Sequence, residues 1–277
     1  MLLPRVITAV VLAAVFLLSL YSASPLAFIA FVYVGVIAAI WEWAGLSGIT
    51  TAMRWLYSAV FLIAASAAAV MIYTSAPIDW MPGLKLLLAI DMVLWVLMLA
   101  LVLSFPRIFA VLLKPIARMI YGVVALGSLW LALLYLRIHP SGQFWLLYLV
   151  FIVAASDIGA YFSGKRFGRR KLAAAVSPGK SWEGFIGGLL SAQLLAMLFY
   201  CLQPGEANIN LAEFLFVALL MSGLSVLGDL TESVMKRVAN KKDSGSILPG
   251  HGGVLDRIDG LMPVAPLFVL ASLYLGW

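Results

Sequence analysis

Nine apolar runs, each about as long as a lipid bilayer is thick, constrain this chain more than any other feature. They fall at about 6–22, 25–44, 55–74, 84–104, 118–136, 143–163, 184–203, 211–229 and 260–276. A helix needs about 20 mainly apolar residues to cross the hydrocarbon core. In lipid every backbone polar group must be paired internally, so runs of this length read as helices. The chain is 64% hydrophobic and 11% charged, whereas soluble domains carry about 25% charged residues. The pattern predicts an all-α, polytopic membrane helical bundle of about nine transmembrane helices. Pro25, Pro82, Pro106 and Pro140 are expected near span ends, where proline is tolerated.

The cations give the orientation. With nine spans and the N-terminus in the cytoplasm, the inner connections hold Arg5, Arg54, Arg107, Lys114, Arg118, the Lys165–Lys180 cluster and the Lys236–Arg257 cluster. Only Lys85 and Arg137 of the 18 Lys and Arg residues then fall outside. This satisfies the positive-inside rule, with the N-terminus in and the C-terminus out. Arg5 ahead of an apolar run also fits a secretory signal. No small-x-small cleavage site precedes a plausible mature start, and Pro25 stands where cleavage would fall. An uncleaved first span is therefore expected.

Composition excludes several classes of site. The single cysteine, Cys201, rules out an internal disulfide and a cysteine-based metal centre. His139 and His251 are far apart in sequence, which argues against a His-rich zinc site. The net charge of +6 follows membrane topology and does not point to nucleic acid.

Polarity divides the chain unevenly. Residues 1–140 are nearly pure membrane helix, expected to support the bundle and to offer a dimer face or a lipid access path. Residues 141–277 carry cytoplasmic loops 164–183 and 230–259 and most intramembrane polar residues, so the catalytic region is expected there. One shared bundle is expected rather than two independent domains.

The densest polar stretch is 233–259, SVMKRVANKKDSGSILPGHGGVLDRID. It holds five of the 18 cations, three of the 12 carboxylates and one of the two histidines. Cations, carboxylates and glycine turns together suggest phosphate and metal chemistry. Asp256 and Asp259 are three apart, so on a helix both could face one ion. Paired carboxylates near basic groups are the usual means of holding Mg²⁺ on substrate phosphates. His251, in Pro249-Gly250-His251-Gly252-Gly253, reads equally as a proton shuttle, a phosphate donor or a satisfied loop residue.

Other segments supply further candidates. Asp157 lies inside the sixth span, either paired with a neighbouring helix or lining a polar cavity. Lys165, Arg166, Arg169, Arg170 and Lys171 read mostly as a topology anchor beside anionic lipid. Gly179-Lys180-Ser181 resembles the end of a P-loop, but Ala174 replaces the earlier glycine and no strand is expected before it. What remains is a Pro-Gly turn presenting Lys180 and Ser181 to a phosphate at a helix N-terminus, or a plain helix start. Asp229 ends the eighth span at the membrane edge, as an interfacial cap or a headgroup site; Glu232 shares its face if the helix continues. Glu42 sits between Trp41 and Trp43, which read as interface anchors, and Asp91 reads as structural.

Ser233, Lys236, Arg237, Lys242, Asp243, Gly245, Pro249, His251, Gly252, Gly253, Asp256, Arg257 and Asp259 together resemble the signature of the CDP-diacylglycerol synthase (phosphatidate cytidylyltransferase) family. The runs around Asp157, SPGKSWEGF and SVLGDLTES are similar to family segments, and WEW more weakly. The resemblance implies transfer of CMP from CTP to phosphatidic acid, with Mg²⁺ and room for a second cation, giving CDP-diacylglycerol and pyrophosphate. It implies catalytic roles for Asp229, Asp256, Lys236, Arg257 and His251, and metal binding by Asp229, Asp256 and Asp259. Lys180, Ser181, Arg237, Lys242, Asp157 and Ser233 would bind substrate. CTP, phosphatidic acid and membrane lipid are the partners implied, without nucleic acid, in a homodimer of a bacterial-type plasma membrane. The rivals are a CTP-dependent lipid kinase, which would release CDP, an ion-coupled transporter using Asp157 and Asp229, and a lipid-binding scaffold.

Overall fold

The computed structural model describes residues 3–106, 114–204 and 209–277, with side chains from Val6 onward. Arg107 and the Arg5 side chain, both counted among the inner cations, lie outside the described residues. The helices are α1 (Leu3–Leu20), α2 (Pro25–Leu46), α3 (Thr51–Thr74), α4 (Pro77–Ser104), α5 (Pro115–Ile138) and α6 (Gly142–Phe167). A hairpin of β1 (Lys171–Ala173) and β2 (Ser177–Ser181) precedes α7 (Trp182–Leu202), α8 (Leu211–Val238), the single turn α9 (Leu255–Ile258) and α10 (Leu261–Leu275). Among the described residues seven helices are long and apolar enough to cross a membrane. Two shorter apolar helices, Val6–Leu20 and Leu261–Leu275, occupy the first and last of the nine runs. The protein is an integral membrane protein of the all-α, polytopic class.

Local chemistry sets the helix starts. Ser24 caps α2 by accepting from Leu26 N, with Pro25 in the first turn. Thr50 caps α3 through Met53 N, and Asn210 Oδ1 accepts from Ala212 N at 2.8 Å ahead of α8. Several helices outrun their apolar runs. Thus α6 carries Lys165 and Arg166 in its last turn, and α8 carries Lys236 and Arg237. Asp229 is therefore inside a helix rather than at its end, because Leu230, Val234 and Met235 still bury an apolar face beyond it. Pro82 is also inside a helix, since α4 begins at Pro77, ahead of the apolar run.

The chain clusters into two compact units, each discontinuous in sequence. The first comprises Met1–Leu87, Ala110–Gln143 and Met235–Ile258. In it α2 packs on α1, α3, α5 and α9. Trp43 Nε1 donates to the Arg118 carbonyl at 2.7 Å and Tyr57 Oη to the Met119 carbonyl at 2.7 Å. Trp43 is 1% exposed. The expected interface anchor is thus a core residue, because α5 covers its ring and takes its N–H.

The second unit comprises Leu88–Phe109, Phe144–Val234 and Asp259–Trp277. Tyr148, Phe199, Phe214 and Phe268 form its aromatic core, with Tyr148 stacked on Phe214 at 5.2 Å. Asp91 is buried and accepts from Trp95 Nε1 at 3.2 Å, one helical turn on. Helices α6 and α7 approach through small residues. A Cβ on Gly159 would lie 2.7 Å from the Gly187 carbonyl oxygen, and one on Gly188 2.8 Å from that of Ser156. Small residues of this kind are what let membrane helices approach closely.

The hairpin corrects the expectation around Lys180. Its turn is Ala174–Val176, so Pro178 and Gly179 lie within β2, and a strand does precede α7. Lys171 pairs with Ser181 and Ala173 with Ser177. A two-stranded sheet has only edges, which accommodates a proline in β2. Glu183 closes the base of the hairpin, where its carboxylate accepts from the backbone N–H groups of Arg169 at 3.0 Å and Arg170 at 3.2 Å.

Candidate active site

In the second unit, α6, β2 and α8 converge on a cavity of about 430 Å³ whose wall includes Asp157, Tyr161, Lys165, Lys180 and Asp229. Lys180 Nζ pairs with Asp229 Oδ2 at 2.6 Å. Ser233, one turn along α8, donates to Asp229 Oδ1 at 3.3 Å. Lys165 Nζ stands 5.7 Å from the Tyr161 ring centroid. That places Lys165, read from sequence as a lipid anchor, on the same wall as the carboxylates.

Asp259 follows α9 and accepts from Gly260 N at 2.8 Å. Burial, and next the negative charge of Asp229, push its carboxyl up to about 7. Lys180 opposes that shift and Asp157 adds to it. Three carboxylates, Asp157, Asp229 and Asp259, thus share an electrostatic neighbourhood with Lys180. Such a surplus of negative charge suits a cation. Among the described residues no group of three or more His, Cys, Asp or Glu side chains forms a closed metal-binding set. Mg²⁺ does not require one, since it is usually held by one or two carboxylates plus substrate phosphates and water. The donor set therefore fits Mg²⁺ bound together with a phosphorylated substrate.

Two neighbouring candidates have structural duties. Ser181 Oγ caps α7 by accepting from Gly184 N at 3.1 Å, while Ser181 also lines the cavity. Glu232, expected to share the Asp229 face, is 2% exposed. Three residues on a helix differ by about 300° of rotation, and here the offset turns one carboxylate into the core.

In the first unit, the loop between α8 and α9 is organised around Asp256. Its Oδ1 accepts from Lys236 Nζ at 2.7 Å. Its Oδ2 accepts from Ser244 N at 3.2 Å, Ser244 Oγ at 2.8 Å and Gly253 N at 2.8 Å. Oδ2 thus accepts three bonds from the loop and Oδ1 one from Lys236, and each oxygen offers two lone pairs. Arg257 donates from a guanidinium nitrogen to the His251 carbonyl at 2.8 Å, across the glycine turn. Leu248 N donates to Gly252 O at 2.9 Å and closes that turn. His251 Nδ1 makes no hydrogen bond, while Arg237 and Lys242 are exposed.

Sequence reasoning missed Glu42 here. It is 4% exposed, and its Oε2 accepts from Leu255 N at 2.9 Å and faces Ser244 Oγ at 3.4 Å. Gly245 and Gly253 pack directly on its carboxylate, where any Cβ would collide. An acid inside an apolar run beside two tryptophans was the only signal in the sequence.

An apolar bundle carrying a pocket walled by Asp157, Lys165, Lys180 and Asp229 defines a polytopic membrane protein with a charged site. Comparison with known proteins gives the family. The pattern of the cytidylyltransferase family matches residues 3–275, and the chain belongs to that family. It is a nucleotidyltransferase. The phosphatidate cytidylyltransferase of Haemophilus influenzae is 38% identical over 286 residues, covering 97% of each chain. That of Pseudomonas aeruginosa is 39% identical over 279 residues, covering 100% of this chain and 99% of its own. The Bacillus subtilis phosphatidate cytidylyltransferase is 38% identical over 160 residues, 55% of this chain.

Proposed function

We propose that this protein is a phosphatidate cytidylyltransferase, which transfers CMP from CTP to phosphatidic acid and gives CDP-diacylglycerol and pyrophosphate. The observation that carries the reading is the Lys180–Asp229 pair at 2.6 Å in the wall of the 430 Å³ cavity, set in an apolar bundle. A lipid phosphate and a nucleotide triphosphate are both polyanions, and one of them is confined to the bilayer. A site that joins them needs cations, carboxylates for a divalent ion and an apolar surround. The full-length likeness to proteins named phosphatidate cytidylyltransferase supports the same substrates.

A non-bridging oxygen of the lipid phosphate attacks the α-phosphorus of CTP. The new P–O bond forms in line with the α–β bridging bond that breaks, and pyrophosphate leaves with that electron pair. The attacking oxygen is already ionised near neutral pH, so no strong general base is needed, and His251 is assigned a modest role. Transfer of this kind depends on positioning and charge neutralisation. Lys180 and Lys165 hold phosphate oxygens in the cavity. Lys236, Arg237, Lys242 and Arg257, in the stretch that resembles the family signature, are likewise assigned to substrate phosphate or catalysis. Asp229 and Asp259, with Asp157 nearby, would hold Mg²⁺, which would neutralise charge on the reacting phosphates. Asp256, whose carboxylate also braces the loop, keeps its proposed catalytic and metal-binding role.

The reaction is placed at the cytoplasmic face of a bacterial-type plasma membrane, with the N-terminus in and the C-terminus out. The supporting argument is the cation bias between connections. A homodimer remains part of the proposal, tested by mass measurement in detergent. The decisive experiment is an assay of purified protein with phosphatidate, labelled CTP and Mg²⁺. Labelled liponucleotide and pyrophosphate are expected, and both should be lost in Asp229→Asn. Formation of CDP and a phosphorylated lipid would instead indicate a lipid kinase.

A further inference from the structure

A second cavity, of about 320 Å³, adjoins the first in the same unit and shares Leu172, Phe185 and Val226 with its wall. Its character is different. The rest of its lining is apolar: the end of α4, the turn of the hairpin, Trp182 and the α8 face at Gly223, Leu227 and Leu230. Among the described residues no charged side chain lines it. On α4, Leu99 and Leu103 are 43% and 74% exposed, so the cavity opens on an apolar helix flank. At Gly223 an added Cβ would meet no atom within 4 Å. This glycine therefore leaves space in the cavity wall and does not serve helix packing.

We propose that this cavity receives one acyl chain of the lipid substrate, and that Gly223 helps set the chain length it takes. The inference rests on the lipid substrate proposed above. A phosphate held by Lys180 in the polar cavity would leave its glycerol ester beside the shared wall of Leu172, Phe185 and Val226, and the chain would continue into the apolar space. The volume suits part of a chain, since ligand cavities run from roughly 300 to 1,000 Å³. The chain arrives from a bilayer that is already apolar, so entry brings little hydrophobic gain. The cavity would therefore select by shape. The hairpin forms one side of it through Leu172 to Val176, while the same hairpin presents Lys180 to the polar cavity. Headgroup and chain would be read by one small element.

The test is a chain-length profile. Wild type, Gly223→Ala, Gly223→Leu and, from the hairpin side, Ala174→Leu are assayed with dioctanoyl and dioleoyl phosphatidate in mixed micelles. The ratio of kcat/KM for dioleoyl over dioctanoyl substrate should fall in steps from wild type to Ala to Leu at 223, by about tenfold overall. Ala174→Leu should lower the same ratio, which keeps the test alive if Gly223→Leu does not fold. A ratio unchanged in both Gly223→Ala and Ala174→Leu overturns the inference and leaves the proposed function standing. Absence of CDP-diacylglycerol from wild type with either lipid would overturn the proposed function itself, and the inference with it.

Discussion

Glu42 accepts a hydrogen bond from the backbone N–H of Leu255 at 2.9 Å, across 213 residues of sequence. A carboxylate inside an early apolar helix thereby fixes the polar loop near the end of the chain. Removing it strands a buried donor, at a cost of about 1–3 kcal/mol. Glu42→Ala should make residues 239–254 more sensitive to protease and lower activity at least tenfold. Glu42→Gln, which keeps an acceptor, should be milder. Equal protease sensitivity in wild type and Glu42→Ala would count against this role.

Lys180 and Asp229 form a pair whose members are unequal in consequence. Lys180→Ala removes a phosphate donor and leaves Asp157, Asp229 and Asp259 without their compensating cation. Loss of one preorganised electrostatic contact typically costs about 10²–10³ in rate. The variant should lose at least a hundredfold in kcat/KM for CTP, measured by pyrophosphate release. Lys180→Arg should recover part of it.

Asp256 and Lys236 separate in a stability measurement. Asp256→Ala removes the acceptor of four hydrogen bonds, from Lys236, Ser244 N, Ser244 Oγ and Gly253 N, whereas Lys236→Met removes one of those donors. Both variants should unfold at lower temperature than wild type in detergent, with Asp256→Ala the more affected. The reverse order would show that the ion pair, rather than the backbone contacts, holds the loop.

Asp259 gives a pH dependence. Its folded-state pKa of about 7 lies above the ordinary carboxylate value, because burial and Asp229 disfavour its charge. Between roughly pH 4 and 7 the folded protein keeps a proton that the unfolded chain has released, so this group's contribution to stability falls as pH rises through that window. Asp259→Asn should therefore melt a few degrees above wild type at pH 8, with the gap closing near pH 4. At the same time it should lose Mg²⁺-dependent activity. Identical melting curves at both pH values would contradict the assignment.

Much of this was legible in the chain. Apolar length alone gave an all-α membrane protein, since lipid leaves the backbone few alternatives, and among the described residues the nine runs fall in seven helices long enough to cross and two shorter ones. Asp157 and Asp229 stood out because charge in apolar sequence is expensive, and Lys180 because a Pro-Gly turn set it just ahead of a helix N-terminus. Other features were not legible. The β1–β2 hairpin was missed because its residues look like a basic connection and a proline turn. Glu42 was set aside because its partners are distant in sequence and largely backbone N–H groups, which leave no mark on composition. Lys165 read as one cation among five, and only the fold put its side chain on the cavity wall.

The sequence by itself determined the class of protein, the helices and which residue types were available for phosphate chemistry. Hydropathy is local and additive along the chain, so it survives without coordinates. The tertiary structure alone decided how those residues divide their duties. Asp229 faces a cavity beside Lys180, Asp256 braces a loop, Ser181 caps a helix and Gly223 leaves a wall open. Those distinctions depend on angstrom-scale contacts between distant segments, which residue order does not record.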